Sequence, residues 1–130
     1  MSAPLPVTIS ENHNAPYGQT IRTGPHVYTA DEPETLGGRN TGPTPIEHLM
    51  AALGGCTLAT LRMYLRKKNI PLGAMSLTVT KTDGQPAFHK VLTIQGGVPA
   101  EVEPKLHEVA EKCPVQKMLA AGCTITMEVR

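Results

Sequence analysis

Residues 44–68, TPIEHLMAALGGCTLATLRMYLRKK, predict one long helix and decide the fold. Thr44 supplies a hydroxyl at the N-cap, Pro45 takes the first helical position, and Glu47 follows the cap by three residues, which together make a capping box. The stretch ends in three basic residues, which suit the negative end of the helix dipole, and a proline follows shortly after them. We therefore expect a central helix in the segment 45–69.

The middle of this helix carries no charged side chain from residue 49 to residue 61. A helix that is apolar or small on every side is usually buried on nearly every side. Gly54 and Gly55 each cost about 1 kcal/mol relative to alanine, so either a closely packed backbone or a ligand beside Cys56 should compensate. A single chain with few bulky side chains covers such a helix poorly, whereas a second copy of the chain would cover it.

The composition excludes several classes of function. The chain has 130 residues, the usual size of one domain, and only four of them are aromatic, so aliphatic side chains must form the core. The net charge of +1 provides no field that would hold a nucleic acid. No stretch is apolar enough to span a membrane, and the first residues lack the features of a signal peptide, so we expect a cytoplasmic protein.

The remaining segments predict an α+β fold in a single domain over residues 1–130. Alternating residues indicate strands before and after the central helix, and proline marks the start of two further helices. In order, we expect N-terminal strands and a Gly/Pro-rich loop in 1–44, the central helix in 45–69, and a hairpin, a Cys-Pro helix and a last strand in 70–130. The loop over 31–45 is long enough to suggest a function or an interface.

The three cysteines differ in their surroundings. Cys56 lies on the uncharged helix, where a thiol can be a small hydrophobe or a reactive group. Cys113 precedes a proline at a first helical position, so helix amides can lower its pKa below the free value of about 8.5. Cys123 shares the phase of the apolar residues in the last strand, which predicts a core position.

Metal binding explains these cysteines less well than redox chemistry does. No two of them have the spacing of a zinc ribbon, and the five histidines do not pair at ligand spacing within one element. We therefore expect no metal and no other cofactor. A zinc site built from scattered residues, or a purely structural role, stays open as a further alternative.

Two segments are similar to the two cysteine motifs of the OsmC/Ohr family of thiol peroxidases. They are residues 43–57, PTPIEHLMAALGGCT, and residues 111–119, EKCPVQKML. The order of predicted elements also agrees with this family over essentially the whole chain, and the chain resembles the OsmC-like branch more than the Ohr enzymes. The resemblance implies an OsmC-like fold, in which antiparallel β-sheets wrap around two long central helices in an intertwined homodimer.

The resemblance also implies a reaction in oxidative stress defence. The Cys56 thiolate would reduce an organic hydroperoxide and become a sulfenic acid, which Cys113 would convert into a Cys56–Cys113 disulfide. A dithiol reductant would then restore both thiols. A competing hypothesis is an OsmC-like protein that binds a small molecule or serves in stress with little or no peroxidase activity.

An arginine held by a glutamate supports the thiolate in this family. The carboxylate of the family follows the proline that corresponds to Pro45, whereas Ile46 occupies that position here and Glu47 comes one residue later. Glu47 is thus a candidate for catalysis, for the helix cap, or for both. For the arginine we prefer Arg39 to Arg22, because its glycine-rich loop can fold over the start of the helix.

Overall fold

The computed structural model describes residues 3–130 and has an α+β architecture. The chain forms two compact units that divide between Leu49 and Met50, inside the central helix. The single domain that we expect over residues 1–130 stays a prediction. Within the described residues, no helix combines the length and the apolar character needed to cross a membrane.

The first unit contains an antiparallel sheet of three strands. The strands are β1 (Thr8–Glu11), β2 (Gln19–Thr23) and β3 (His26–Ala30), in the order β1-β2-β3. Two residues connect β2 to β3, and Gly24 takes the φ of 54° that a tight hairpin turn needs at its first position. These elements confirm the strands predicted before the central helix.

Asp31 organises the loop that follows β3. Its carboxylate accepts hydrogen bonds from three backbone N–H groups, those of Glu32 at 2.7 Å, Arg39 at 3.2 Å and Thr41 at 3.0 Å. The Thr41 hydroxyl donates a fourth bond at 2.7 Å. The Asp31 residue is 1% exposed, so these donors replace the water that a carboxylate normally binds. One buried acid therefore holds together a loop that includes a single turn of 3-10 helix, Glu34–Leu36.

The central helix α1 spans Pro45–Lys67, in agreement with the sequence. The predicted capping box is confirmed, because the backbone N–H of Thr44 donates to Glu47 Oε1 at 2.9 Å and the backbone N–H of Glu47 donates to Thr44 Oγ1 at 3.1 Å. Two reciprocal bonds thus satisfy backbone donors that would otherwise lack a partner at the helix start.

Helix α1 is buried along one face in a single chain, and burial of its other faces by a second copy stays a prediction. Gly54 is buried, and the other buried positions recur every four residues along one face, at Leu53, Thr57, Leu61 and Leu65. On other faces, small and apolar residues are exposed, namely Ala51, Ala52, Gly55, Ala59 and Met63. One chain supplies packing partners for one face of α1. The apolar composition of this helix would allow other apolar side chains to pack against several of its faces.

The two glycines of α1 have different surroundings. A Cβ atom on Gly54 would lie 2.9 Å from Val79 Cγ2 and 3.2 Å from Leu77 Cδ2. Side chains of the hairpin, and not another backbone, therefore fill the space that Gly54 leaves. A Cβ atom on Gly55 would meet nothing within 4 Å in this chain, and Gly55 borders an open depression of about 310 Å³.

The second unit places a hairpin and two short helices beside α1. The elements are β4 (Met75–Lys81), β5 (Phe88–Ile94), α2 (Glu103–Ala110) and α3 (Pro114–Ala121). A core of Leu61 and Leu65 from α1 and Leu106 and Val109 from α2 joins the helices, and apolar residues of the hairpin pack against it. Gly122 ends α3 with a φ of 79°, as the sequence predicts.

The last segment departs from the prediction. Residues 123–130 alternate like a strand but pair with no other strand among residues 3–130. Ile125, Met127 and Val129 are each 86% exposed, and Cys123 is exposed as well, so its predicted core position is wrong. Alternation indicates which residues would share a strand face, but a strand forms only where a neighbour offers its backbone groups.

Replacing Asp31 tests the organisation of the loop. Hydrogen bonds led by the Thr41 backbone N–H lower the pKa of Asp31 from 3.8 to about 2, against the opposing effect of burial. Because the folded pKa lies below the unfolded one, the stabilisation is complete above the unfolded pKa and is lost as the pH falls through the folded pKa. We expect Asp31→Asn to be less stable than the wild type at neutral pH.

Denaturant unfolding across the acid range measures this difference. The stabilities of wild type and Asp31→Asn should converge as the pH falls from near 3.8 toward 2. Asp83→Asn, at an exposed position in the β4–β5 turn, serves as a control and should follow the wild type. A gap between wild type and Asp31→Asn that stays constant at every pH would contradict this account.

Candidate functional site

Two cysteines that are distant in sequence interact in the second unit. Cys56 lies on α1 and is partly buried, whereas Cys113 immediately precedes α3 and is fully buried. Each thiol shifts the pKa of the other, and both residues are free thiols. The structure thus brings together the two cysteines that the resemblance pairs.

Cys113 sits where a helix can stabilise negative charge. It occupies the N-cap of α3, with an extended backbone (φ −57°, ψ 121°) and Pro114 at the first helical position. Its sulfur makes no capping hydrogen bond, but the backbone amides of Val115 and Gln116 act to lower its pKa. Burial acts to raise the pKa of Cys113, but the Cys56 thiol, these amides and the Thr57 hydroxyl together outweigh it and lower the pKa.

Cys56 is the partner that keeps its proton. Burial raises the pKa of Cys56, and the hydrogen bond to Cys113 raises it further, because that bond requires the Cys56 proton. The amide of Val115 and the Thr60 hydroxyl act weakly in the opposite direction. A reduced pair that has lost one proton therefore carries its charge mainly on Cys113 and its remaining proton on Cys56.

Lys90 on β5 reaches the same place from the hairpin. Its ammonium donates to Thr57 Oγ1 at 2.9 Å and to the side-chain oxygen of Gln116. Thr57 follows Cys56 on α1, and Gln116 lies in the first turn of α3. One cation thus joins the helix that carries Cys56 to the helix that Cys113 caps.

Lys90 is not among the site residues that the sequence predicted, although its strand carries a signal. In β5, Lys90 alternates in phase with Phe88, Leu92 and Ile94, which are the more buried residues of that strand. A lysine on the apolar face of an amphipathic strand is unusual, because its charge must find partners inside the protein.

A cavity of about 450 Å³ opens beside Thr57 and Lys90. Aliphatic side chains line much of it, including Leu61, Leu77 and Leu92. Polar groups also reach it, namely His89, Lys90, Glu103 and His107. A largely apolar space with a few polar groups is typical of small-molecule sites.

Glu47 and Arg39, the other candidate residues, lie in the first unit. Glu47 is exposed and engaged in the capping box, and hydrogen bonds from the Thr44 backbone and hydroxyl lower its pKa. The backbone N–H of Arg39 donates to Asp31, and the residue borders a polar cavity with Glu11, His13 and Asn14. Arg22, the less favoured candidate, lies exposed on β2. Their catalytic roles stay predictions.

Metal-ligating residues do not cluster in the described part of the chain. Among residues 3–130, no group of three or more His, Cys, Asp or Glu side chains is arranged to hold a metal ion.

Comparison with known families agrees with this architecture. The sequence profile of the family described as OsmC-like protein matches residues 38–128, which include both cysteines. The chain belongs to the OsmC-like family. No curated protein matches this OsmC-like chain in sequence.

Solved structures of the family share its fold. A Psychrobacter arcticus protein named for osmotic stress induction and a detoxification response aligns with a TM-score of 0.77 and 17% identity, covering 90% of this chain and 89% of that one. An OsmC-like protein of Mycoplasma pneumoniae aligns with a TM-score of 0.69 and 21% identity, covering 92% and 89%. An organic hydroperoxide resistance protein OsmC of Legionella pneumophila aligns with a TM-score of 0.63 and 17% identity, covering 92% and 90%.

Substitutions in the capping box separate its structural role from a catalytic one. Thr44→Ala should lower the free energy of unfolding by about 1 kcal/mol, because it removes the N-cap acceptor of α1. Glu47→Gln keeps an oxygen acceptor at the same position, so the stability of this variant should stay close to that of the wild type. Urea unfolding of the two variants measures both effects.

The same variants then test catalysis. If Glu47 acts only as a cap, Glu47→Gln will retain the wild-type rate of thiol loss with an alkyl hydroperoxide. A slower rate at unchanged stability would show that the negative charge has a role beyond the cap.

Proposed function

We propose that this OsmC-like protein is a thiol-dependent peroxidase that reduces organic hydroperoxides in oxidative stress defence. The observation that carries the proposal is the interaction of the Cys56 thiol with Cys113, which caps α3. A peroxidase that forms an internal disulfide needs two thiols in this relation. The name of the Legionella relative, organic hydroperoxide resistance protein, supports the same chemistry.

The difference in exposure suggests which sulfur meets the peroxide. Cys56 is partly exposed, whereas Cys113 is fully buried, so a peroxide reaches Cys56 first. Cys56 must lose its proton to act as a nucleophile, and the neighbouring Cys113 thiolate can accept it. Since each thiol shifts the pKa of the other, we place the two sulfurs close enough for this transfer.

The remaining steps use only the two thiols, the peroxide, solvent protons and a reductant. The Cys56 thiolate attacks the distal oxygen of the hydroperoxide, the O–O bond breaks, and Cys56 becomes a sulfenic acid. The departing alkoxide takes the proton from Cys113 and leaves as an alcohol. The Cys113 thiolate then attacks the Cys56 sulfur, an S–S bond forms, and the hydroxide that leaves becomes water with a proton from solvent. A dithiol reductant restores both thiols by exchange.

The apolar cavity favours an organic peroxide as substrate. It borders Thr57, the residue after Cys56, and it is lined mainly by aliphatic side chains. An alkyl group gains free energy on leaving water for such a surface, whereas hydrogen peroxide has no apolar part to bury. Since the reaction starts from free thiols, we place the protein in a reducing compartment, the cytoplasm.

Thiol titration tests the reaction directly. One equivalent of an alkyl hydroperoxide should remove two of the three thiols of each chain within minutes, because one becomes a sulfenic acid and the second joins it in a disulfide. Cys56→Ser should lose neither of its two remaining thiols rapidly. Cys113→Ser should stop at a sulfenic acid that a dimedone probe captures.

Cys123→Ser is the matched control for this experiment. Cys123 is exposed in the last segment, so its removal should leave the loss of two thiols unchanged. Retention of all three thiols in the wild type would overturn the peroxidase proposal. It would favour the second candidate function, binding of an apolar small molecule in the cavity of about 450 Å³.

We further propose that the protein is a homodimer with the arrangement that the family resemblance implies. The exposed small residues of α1 and the unpaired, exposed apolar residues of segment 123–130 support this proposal. Both are surfaces that a second copy would cover, because exposed apolar stretches of this kind often mark interfaces.

Sedimentation of a double variant tests the dimer. The wild type should sediment at about twice the chain mass of 13.9 kDa. Ile125→Asp with Met127→Asp should sediment near the mass of one chain, because two charges on the apolar strand face oppose its burial. Thr124→Asp with Thr126→Asp changes the opposite strand face and should remain dimeric. A wild type of 13.9 kDa would contradict the dimer.

A further inference from the structure

Lys90 occupies a position that stability alone does not explain. It lies on the inward face of β5, between the partly buried side chains of Phe88 and Leu92. A lysine there loses part of its hydration, and burial accordingly lowers its pKa. An apolar residue would fit the alternation of β5 without this cost, so the contacts of the ammonium must explain the lysine.

The ammonium connects two residues that adjoin the two cysteines. It donates to Thr57 Oγ1 at 2.9 Å, while the Thr57 hydroxyl donates its own proton to the Leu53 carbonyl oxygen at 2.9 Å. The ammonium also donates to the side chain of Gln116, which lies in the first turn of the helix that Cys113 caps. The Thr57 hydroxyl and the Gln116 backbone amide both act to lower the pKa of Cys113.

We propose that Lys90 is the positioning residue that keeps the negative charge on the Cys56–Cys113 pair. It acts by joining Thr57, the neighbour of Cys56, to Gln116, in the first turn of the helix that Cys113 caps, and through its own positive charge. The role is the one that the family resemblance assigns to an arginine, for which the sequence suggested Arg39. The inference rests on the proposed thiol chemistry of this pair, but its test uses no peroxide.

The charged and titratable groups around Lys90 are consistent with this role. The two cysteines and Glu111, which follows α2, raise the pKa of Lys90 and so favour its charged form. The other titratable groups that line the adjoining cavity are His89 on β5 and Glu103 and His107 on α2. Glu103 and His107 lie 4.0 Å apart on the exposed surface of α2 and are partners of each other.

The pH profile of thiol alkylation tests the proposal. The variants are made in a Cys123→Ser background, which removes the exposed thiol. We expect Lys90→Met to raise the midpoint of the first thiolate ionisation by about one pH unit. At neutral pH, this shift makes alkylation about tenfold slower. Lys90→Arg should keep the midpoint near that of the parent. The ultraviolet absorbance of the thiolate gives a second measurement of the same midpoint.

Two controls separate this role from a structural one. Lys105→Met makes the same change in net charge at an exposed position on α2, where Lys105 pairs with Glu108 at 3.3 Å, and should not move the midpoint. Arg39→Met tests the alternative cation. Because Lys90→Met leaves Thr57 and Gln116 without the ammonium, its unfolding is measured beside its midpoint, and Lys90→Arg is the variant that keeps the charge.

Each outcome decides the proposal. An unchanged midpoint in folded Lys90→Met, or a shift in Arg39→Met alone, would overturn it. If Lys90→Met does not fold, Thr57→Val replaces it. Loss of the hydroxyl breaks the path from Lys90 to Cys113 and should also raise the midpoint. An unchanged midpoint in Thr57→Val would overturn the proposal as well. A protein with the Lys90-dependent midpoint but no peroxide consumption would support this inference and contradict the peroxidase function.

Discussion

The packing of Leu61 and Leu65 of α1 against Leu106 and Val109 of α2 is the contact on which the rest of the second unit depends. These four side chains bury apolar area that each helix alone would expose to water. They fix the face of α1 that points inward, and that face carries Thr57 one turn before Leu61. Since α3 follows α2 closely in the chain, the same contact brings Cys113 to Cys56.

Opposing electrostatic effects act on the thiol pair. Removing a thiol from water favours its neutral form, whereas helix amides, a hydroxyl and a nearby ammonium favour the thiolate. Burial acts on both sulfurs, and the Val115 amide acts on both, but the Gln116 amide acts on Cys113. The asymmetry arises from helix geometry, because the residue at the N-cap lies nearest the free N–H groups of the first turn.

Local signals predicted most of the elements. The capping box of Thr44 and Glu47, the proline starts of α2 and α3, and the glycine end of α3 depend on residues within a few positions of each other, and all three predictions are confirmed. The buried face of α1 and the state of segment 123–130 depend on which surfaces other parts of the protein supply. Alternation and helical periodicity do not contain that information, so the core position predicted for Cys123 was wrong for a single chain, and burial of the other faces of α1 stays a prediction.

The site residues also divide into those that the sequence predicted and those that only the fold reveals. The resemblance implied Cys56 and Cys113, but for the cation it implied an arginine in the first 44 residues. In the sequence, Lys90 differs from its surroundings only as a charged residue in phase with apolar ones. Its partners Thr57 and Gln116 lie 33 and 26 residues away from it in the sequence. Spacing in the sequence does not indicate such contacts, because the hairpin and the helices meet only after folding.

The reduction potential of a pair of sulfurs that shares one proton depends on pH differently from that of an ordinary dithiol. Where both thiols are protonated, oxidation to the disulfide releases two electrons and two protons, and the reduction potential falls by about 59 mV per pH unit. Where Cys113 is already ionised, only the Cys56 proton is released, and the slope is about 30 mV per pH unit. In that range a rise in pH would shift the potential of the proposed Cys56–Cys113 couple less than that of an ordinary dithiol, because a thiolate at the start of α3 has already lost its proton.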